Sequence, residues 1–371
     1  MQVLIAPDKF KGTLTAGQSA RAIARGWARV YPEDEVRLLP MSDGGDGFGL
    51  VMGRLLGART RRVRTVDAAG RPIVARWWWE PRSRTAIVES AEVIGSARLP
   101  FGRFHPFALD TFGLGRVLAV AARSAPIRCL VGIGGSATND GGSGLARALG
   151  WRFMASSGEE IHEWSKLTEC EEVVRPALDL NLGALTVAVD VRNPLLGSGG
   201  CTRIYGPQKG LRPKDFASAE AALARLSGLM AGEHGKPMHE APGAGAAGGL
   251  GFGLMAFCGA TPTTGFSLFA EEAGLRTRVR DAGLVITGEG RLDSQSMMGK
   301  GVGELGTMCN VEGVPCIAIS GSSALRGEAL DPFERVYDVS EMKSQAHALK
   351  KPGFWLSRTA AKAAIEWPRQ G

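Results

Sequence analysis

The chain has no CxxC pair; its six cysteines, Cys129, Cys170, Cys201, Cys258, Cys309 and Cys316, stand apart from one another. That spacing argues against a zinc site and against a disulfide frame, and buried thiols in a reducing compartment are expected. No apolar run approaches the roughly 18 residues of a membrane span. The opening MQVLIAPDKF lacks a charged segment followed by a long apolar stretch, so a cytoplasmic protein is expected. The five histidines fit no HExxH pattern, and GxSxG and GxxxxGK[ST] do not occur. Zincin proteases, α/β-hydrolases and conventional P-loop nucleotide sites are therefore not indicated. Blocks of like charge are missing as well. The net charge is +7, but basic residues are scattered, as in Arg21, Arg25 and Arg29. No nucleic-acid partner is expected from that pattern.

What is present is an ordinary globular balance, 44% hydrophobic and 22% charged. The 371 residues exceed the roughly 250–300 at which single cores stop growing, so two domains are expected. The 52 glycines cluster in short runs beside apolar segments, where a backbone turns tightly or approaches a ligand.

Short apolar runs at Gln2–Ala6 and Val36–Leu39 flank a helical pattern after Thr15, in which Ala20, Ile23, Trp27 and Val30 share a face. Strand, helix, strand begins an α/β layered domain. The segments 60–66, 72–79 and 86–89 read as strands without helices between them, a mixed or antiparallel region. Trp77, Trp78 and Trp79 read as strand residues covering two faces of that sheet. A helix near 114–122, the strand 129–133 and a helix through Leu149 follow. The strand 185–189 and a helix over 216–230 come next. The last third alternates again: a helix over 268–280, strands at 284–287, 316–320 and 335–339, and a final helix over 356–365. The expected architecture is α/β. Residues 1–60 and 262–371 form a three-layer domain from both chain ends, and 61–261 form a mixed α/β domain inserted in the middle. An active site in the cleft between them is expected.

Ligands in open α/β sheets bind beyond the carboxyl ends of strands, and five such ends run into polar, glycine-rich loops. In GIGGSATNDGG, Gly134 and Gly135 leave room for backbone N–H groups to face an anion, and Ser136 and Thr138 add hydroxyls. The same loop reads equally as a tight turn in which Asn139 or Asp140 caps the next helix. TGEGRLDSQSMMGKG combines Gly288 and Gly290 with the carboxylates of Glu289 and Asp293, the guanidinium of Arg291 and the ammonium of Lys300. Those are the parts of a phosphoryl-transfer site: a cradle, oxygens for Mg²⁺ and a cationic clamp. APDKFKGT offers Asp8, Lys9 and Lys11. MSDGGDG offers Ser42 and Asp43. VDVRNP offers Asp190 and Asn193, suited either to metal or proton chemistry or simply to turning the chain. Lys209 in GPQKG suits an anion contact or a turn. Gly243, Gly245 and Gly248 have GxGxxG spacing, but no strand precedes them, so they read as close helix packing or a hinge.

Taken together, APDKFKGTLTA, MSDGGDG, VESAEVIG, GIGGSATNDGG, DVRNPLLG, YGPQKG, GAGAAGGLGFGL and TGEGRLDSQSMMGKG resemble the class I glycerate kinase family, in its order and at about its spacing. The chain departs from that pattern at Arg192, where many relatives have a neutral residue, and at Gly301-Val302-Gly303 after Lys300. The resemblance implies a flavodoxin-like domain with a second domain inserted, and an enzyme that uses ATP and Mg²⁺ to phosphorylate D-glycerate. The implied product is 2-phospho-D-glycerate. Formation of 3-phosphoglycerate, action on another small hydroxy acid, or a non-catalytic sensor are the alternatives.

On that resemblance, Asp190 is expected to accept the hydroxyl proton or to bind Mg²⁺, with Asp8 as the other candidate base. Glu289 and Asp293 would share the metal. Lys11 and Lys300 would neutralise phosphate oxygens. Gly134, Gly135, Ser136, Asn139, Asp140, Gly288 and Gly290 would line the nucleotide phosphates. Ser42, Asp43, Asn193 and Arg291 would fix D-glycerate. ATP and D-glycerate are the expected partners, without nucleic acid or membrane, in a monomer or homodimer.

Overall fold

The computed structural model describes residues 1–100, 102–177, 180–235, 237–297, 301–325, 331–342 and 345–368. The chain divides into two compact units, Met1–Asp43 with Phe266–Gly371, and Gly44–Gly265. The protein is mixed α/β, with parallel strands prominent in both large sheets.

The unit built from both chain ends holds a five-stranded sheet. Its spatial order is Arg335–Asp338, Cys316–Ser320, Leu284–Thr287, Gln2–Ile5, Glu35–Leu38, and every pairing is parallel. Numbered along this unit, the order is 2-1-3-4-5, the flavodoxin-like arrangement. A parallel sheet is buried on both faces, so its inner strands read as continuous apolar runs; Leu284–Thr287 and Cys316–Ser320 are buried throughout. On one face Val3, Ile5, Leu284, Ile286, Ile317 and Ile319 meet Ile23, Trp27, Leu356 and Ala360 of the helices Ala16–Trp27 and Pro352–Glu366. The helix Gly301–Glu312 also packs on this sheet. Thr15 starts the first helix with a capping box: its hydroxyl accepts the Gln18 N–H, and the Gln18 side chain accepts the Thr15 N–H at 2.9 Å. The single helix expected over 268–280 is two, Gly265–Ala273 and Leu275–Arg280. Gly274 breaks it by adopting a left-handed conformation, φ 54°.

The middle unit holds a six-stranded sheet in the order Thr261–Thr263, Ala184–Ala188, Arg128–Gly132, Thr85–Glu89, Pro72–Glu80, Arg59–Val66. The first four strands are parallel, and the last two add antiparallel. Trp77 and Trp79 enter one core with Val88, Val117 and Val131. Trp78 faces the other way, against the helix Phe48–Leu55. A Cβ on Gly49 would overlap its indole ring, and one on Gly53 would lie 2.6 Å from it. That packing places residues 44–60 in the middle unit, where the sequence boundary at 60 puts them with the chain ends. A second core, around Trp151, Phe153, Trp164, Leu223 and Phe252, lies under the hairpin Arg152–Ala155 and Cys170–Val174 and the helix Phe216–His234. Among the described residues no helix is long and apolar enough to cross a membrane.

Replacing Gly49 by Ala forces a methyl into the Trp78 ring. The expected cost is about 1–3 kcal/mol of stability, seen as a lower thermal midpoint with altered tryptophan fluorescence. An unchanged midpoint would contradict this packing.

Candidate active site

In a flavodoxin-like sheet the strand order reverses between the first and third strands, and the loops leaving them flank a crevice. Here those are the loops after Gln2–Ile5 and Leu284–Thr287. They carry Asp8 and Glu289 and are tied together by the Asp8 N–H, which donates to the Gly288 carbonyl at 2.9 Å. The next loop is packed on them backbone to backbone. A Cβ on Gly288 would run into the Ile319 carbonyl, and one on Gly321 would lie 2.5 Å from the Gly290 carbonyl oxygen. The Gly321 N–H donates to the Glu289 carbonyl at 3.2 Å. Any side chain at these glycines would separate the three strand ends.

Acidic and basic groups meet on this frame. Asp8 Oδ1 accepts the Lys9 N–H at 2.7 Å, and Lys9 Nζ pairs with Asp43 Oδ1 at 3.0 Å. Burial pushes the Asp8 carboxyl up to about 7; the charge of Asp43 adds to the shift and Glu289 adds further, against the opposing pull of Lys9. Ser42 is buried beside Asp43. Lys11 is exposed, with its backbone N–H against Gly290. Arg291 begins the short strand Arg291–Leu292, which pairs with Ser322–Ser323. Its side chain is 72% exposed and lies 3.6 Å from Asp293 Oδ2. Asp8, Ser42, Asp43, Gly288, Glu289 and Gly290 are thus brought together, and Arg291 and Asp293 follow in the same loop. Lys300 lies outside the described residues.

The middle unit has its own set of strand-end loops. Gly134 donates its N–H to the Gly44 carbonyl at 3.2 Å, and a Cβ on Gly134 would lie 2.5 Å from Gly45 Cα. Gly135 takes φ 77°, open to glycine at little cost, and a Cβ there would meet the Asp46 carboxylate. The GIGG and DGGD runs therefore touch through bare backbone. The first turn of the helix Phe48–Leu55 is anchored by Glu89, whose two oxygens accept the Gly47 and Gly49 N–H groups at 2.8 and 2.9 Å. Burial raises the carboxyl pKa of Glu89 against those two bonds. Sequence reasoning did not single out Glu89; its only signal is a lone acid ending an apolar strand in VESAEVIG.

Ser136 Oγ donates to the Ala247 carbonyl at 2.9 Å and accepts from Lys209 Nζ at 3.1 Å. Asn139 and Asp140 are fully buried and turned into the protein. Asn139 Nδ2 donates to Thr202 Oγ1 at 3.1 Å. Asp140 Oδ2 accepts from the Thr111 N–H and hydroxyl and from the Gly144 N–H at 2.7–3.0 Å, so it opens the helix Ser143–Ala148. Burial raises its pKa. Asp140 has the partners of a helix-opening turn, whereas Asn139 reaches across to Thr202 and its buried Oδ1 has no hydrogen-bond partner. After the strand Ala184–Ala188, Asp190 is exposed and Oδ1 accepts the Gly265 N–H at 3.2 Å. Asn193 Oδ1 accepts from the Tyr205 hydroxyl at 2.7 Å, and Nδ2 donates to the Gly199 carbonyl at 2.8 Å.

Among the described residues no three His, Cys, Asp or Glu side chains form a metal cage. Mg²⁺ commonly takes one or two carboxylates and completes its shell with water and phosphate oxygens. Glu289, half-buried and near enough to Asp8 to raise its pKa, and Asp293 in the same loop offer carboxylate oxygens of that kind.

Comparison with known proteins gives a consistent result. The model of the Glycerate kinase family matches residues 3–367. A protein named glycerate kinase from Halalkalibacterium halodurans is 36% identical over 371 residues, covering 98% of this chain and 97% of its own. One named glycerate 2-kinase from Escherichia coli is 34% identical, covering 87% and 85%. A crystal structure named for a glycerate kinase 2 of Salmonella typhimurium LT2 superposes with TM-score 0.85 at 32% identity, covering 98% and 97%.

The Asp8 shift has a stability consequence. Below its ordinary value of 3.8 the carboxyl is protonated in both folded and unfolded chains. Between 3.8 and about 7 the folded chain keeps a proton that the unfolded chain releases, so stability falls as pH rises through that window. Asp8→Asn removes this loss. The variant should exceed the parent in urea-unfolding stability at about pH 8, with the gap narrowing towards about pH 5. A gap independent of pH would contradict the assigned shift.

Proposed function

This chain belongs to the glycerate kinase family, and on that premise we propose that it transfers the γ-phosphoryl group of ATP to a hydroxyl of D-glycerate, giving 2-phospho-D-glycerate. The observation that carries this reading is the family match itself, which spans both units and takes in both sets of strand-end loops. The enzyme of this proposal is cytoplasmic.

A glycerate hydroxyl is a weak nucleophile. The reaction needs a base for its proton, a fixed line of attack, and positive charge for the phosphoryl oxygens. Asp8 is the proton acceptor of this proposal. A base works best when its pKa lies near the working pH, and the Asp8 carboxyl sits at about 7. Glu289 and Asp293 would hold Mg²⁺, which when bound neutralises phosphate charge; Asp190, in the middle unit, is the alternative base. Arg291 offers a planar fork for the substrate carboxylate, with Ser42, Asp43 and Asn193 towards its hydroxyls. Lys11 and Lys300 supply further positive charge. The close backbone packing of Gly134, Gly135, Gly288 and Gly290 would hold their strand-end loops in the shape that receives phosphate.

Phosphorus NMR of a mixture of chain, ATP, Mg²⁺ and D-glycerate tests the reading. ADP and a phosphomonoester doublet are expected, because the phosphorus of 2-phosphoglycerate couples to the single proton on C2. A triplet would mean phosphorylation at the terminal CH₂OH. ATP unchanged by glycerate would overturn the reading and leave a kinase for another small hydroxy acid, to be sought with a substrate panel, or a sensor. Within an active enzyme, Asp8→Asn should lower kcat by about 10²–10⁴-fold. If Asp190→Asn does so and Asp8→Asn does not, the base is Asp190.

A further inference from the structure

Lys209 ends the helix Cys201–Lys209, and its ammonium enters the GSATN loop. Nζ donates to Ser136 Oγ at 3.1 Å and to the Thr138 carbonyl at 2.6 Å. The residue keeps some exposed surface, but the charged end is enclosed. Among the described residues no carboxylate stands within ion-pair distance of it. Enclosing an ammonium with only neutral oxygens in hydrogen-bond reach is costly, and an ammonium has three N–H donors while only two are used here. Burial accordingly pushes its pKa down to about 8.

The third side of this place is backbone. Ala247, Gly248 and Gly249 follow one another in the left-handed region, with φ 56°, 72° and 85°, where the helix Ala246–Cys258 begins. Left-handed alanine is strained by about 1–2 kcal/mol. The run presses close: a Cβ on Gly248 would overlap the Thr138 carbonyl and lie 2.8 Å from Lys209 Nζ. The Gly141 N–H donates to the Gly248 carbonyl at 3.1 Å, and the Ser136 hydroxyl to Ala247. Three segments therefore converge on one cation, at the end of the strand Arg128–Gly132.

We propose that Lys209 is a phosphate-binding residue of this enzyme, giving its remaining N–H to an oxygen of the ATP phosphate chain while its other two hold the GSATN loop in place. This deepens the kinase reading above and rests on it for the identity of the nucleotide. A desolvated ammonium is worth more to a phosphate than an exposed one, because no water competes for its field. The cost of enclosing it is offset when a polyanion arrives.

The test separates charge from scaffolding. Lys209→Gln keeps N–H donors for Ser136 and Thr138 but loses the charge; Lys209→Met loses both. ADP binding is measured by calorimetry without glycerate, so a chain that fails to phosphorylate glycerate still gives a reading. The Gln variant should melt near the parent and bind ADP about 10–100-fold more weakly, the loss of one charge-assisted hydrogen bond. The Met variant should lose the same affinity and also melt lower. A Gln variant that binds ADP as the parent does would overturn the proposal and leave Lys209 a loop brace. If neither variant folds, the parent decides. The titratable groups that face Nζ are Cys201 and Asp140; burial keeps the Cys201 thiol neutral, pushed up to about 12. ADP affinity should then fall between about pH 7 and pH 9, and a flat profile overturns the assignment.

Discussion

Bare backbone against bare backbone is the contact on which the rest of this structure depends. Gly134 lies on Gly45, Gly288 on the Ile319 carbonyl, and Gly321 on the Gly290 carbonyl. Each contact brings two strand-end loops closer than any side chain would allow. Carboxylates and ammonium groups on those loops then become neighbours, although long stretches of chain separate them. Asp8 and Glu289 interact because Gly288 accepts the Asp8 N–H. Ser136 meets Lys209 because Gly248 lets the turn at 247–249 press on the loop.

These arrangements hold groups that water would otherwise stabilise better. The Asp8 carboxyl is pushed up and the Lys209 ammonium down, each chiefly by burial. Asp140 and Glu89 are buried and pushed up as well, but their oxygens accept from N–H and hydroxyl groups at the starts of helices, which they brace. The distinction is physical. A buried charge whose bonds are filled by the backbone shapes a loop. A buried charge with a donor left over has something to give to a ligand.

Much of this was legible in the sequence. The inner strands 284–287 and 316–320 are short apolar runs that stop at Gly or Ser, which is how fully buried parallel strands read. The glycine-rich loops stood out, as did the acidic residues on them. The helix Phe48–Leu55 was not legible. Gly49 and Gly53 argue against a helix by propensity, and they are there to admit Trp78, a residue on a strand some 25 positions further along the chain. Without that helix the domain boundary falls at 60 rather than 43. Lys209 was ambiguous for a related reason. A lysine between glycines looks like any exposed turn until the 247–249 backbone and the Thr138 carbonyl are placed around it. Asn139 and Asp140 had two readings in the sequence, and only their partners, Thr202 and Thr111, tell where the side chains point.

On the proposed function, glycine contacts set the distance between loops that would act on substrate. Gly134→Ala probes it most directly, since one methyl would lie 2.5 Å from Gly45 Cα. ADP formation by this variant with saturating D-glycerate should fall roughly 100-fold, the effect of about 1 Å of misplacement, while its circular dichroism stays that of the parent. A folded Gly134→Ala enzyme with parental turnover would contradict this role for the glycine contacts.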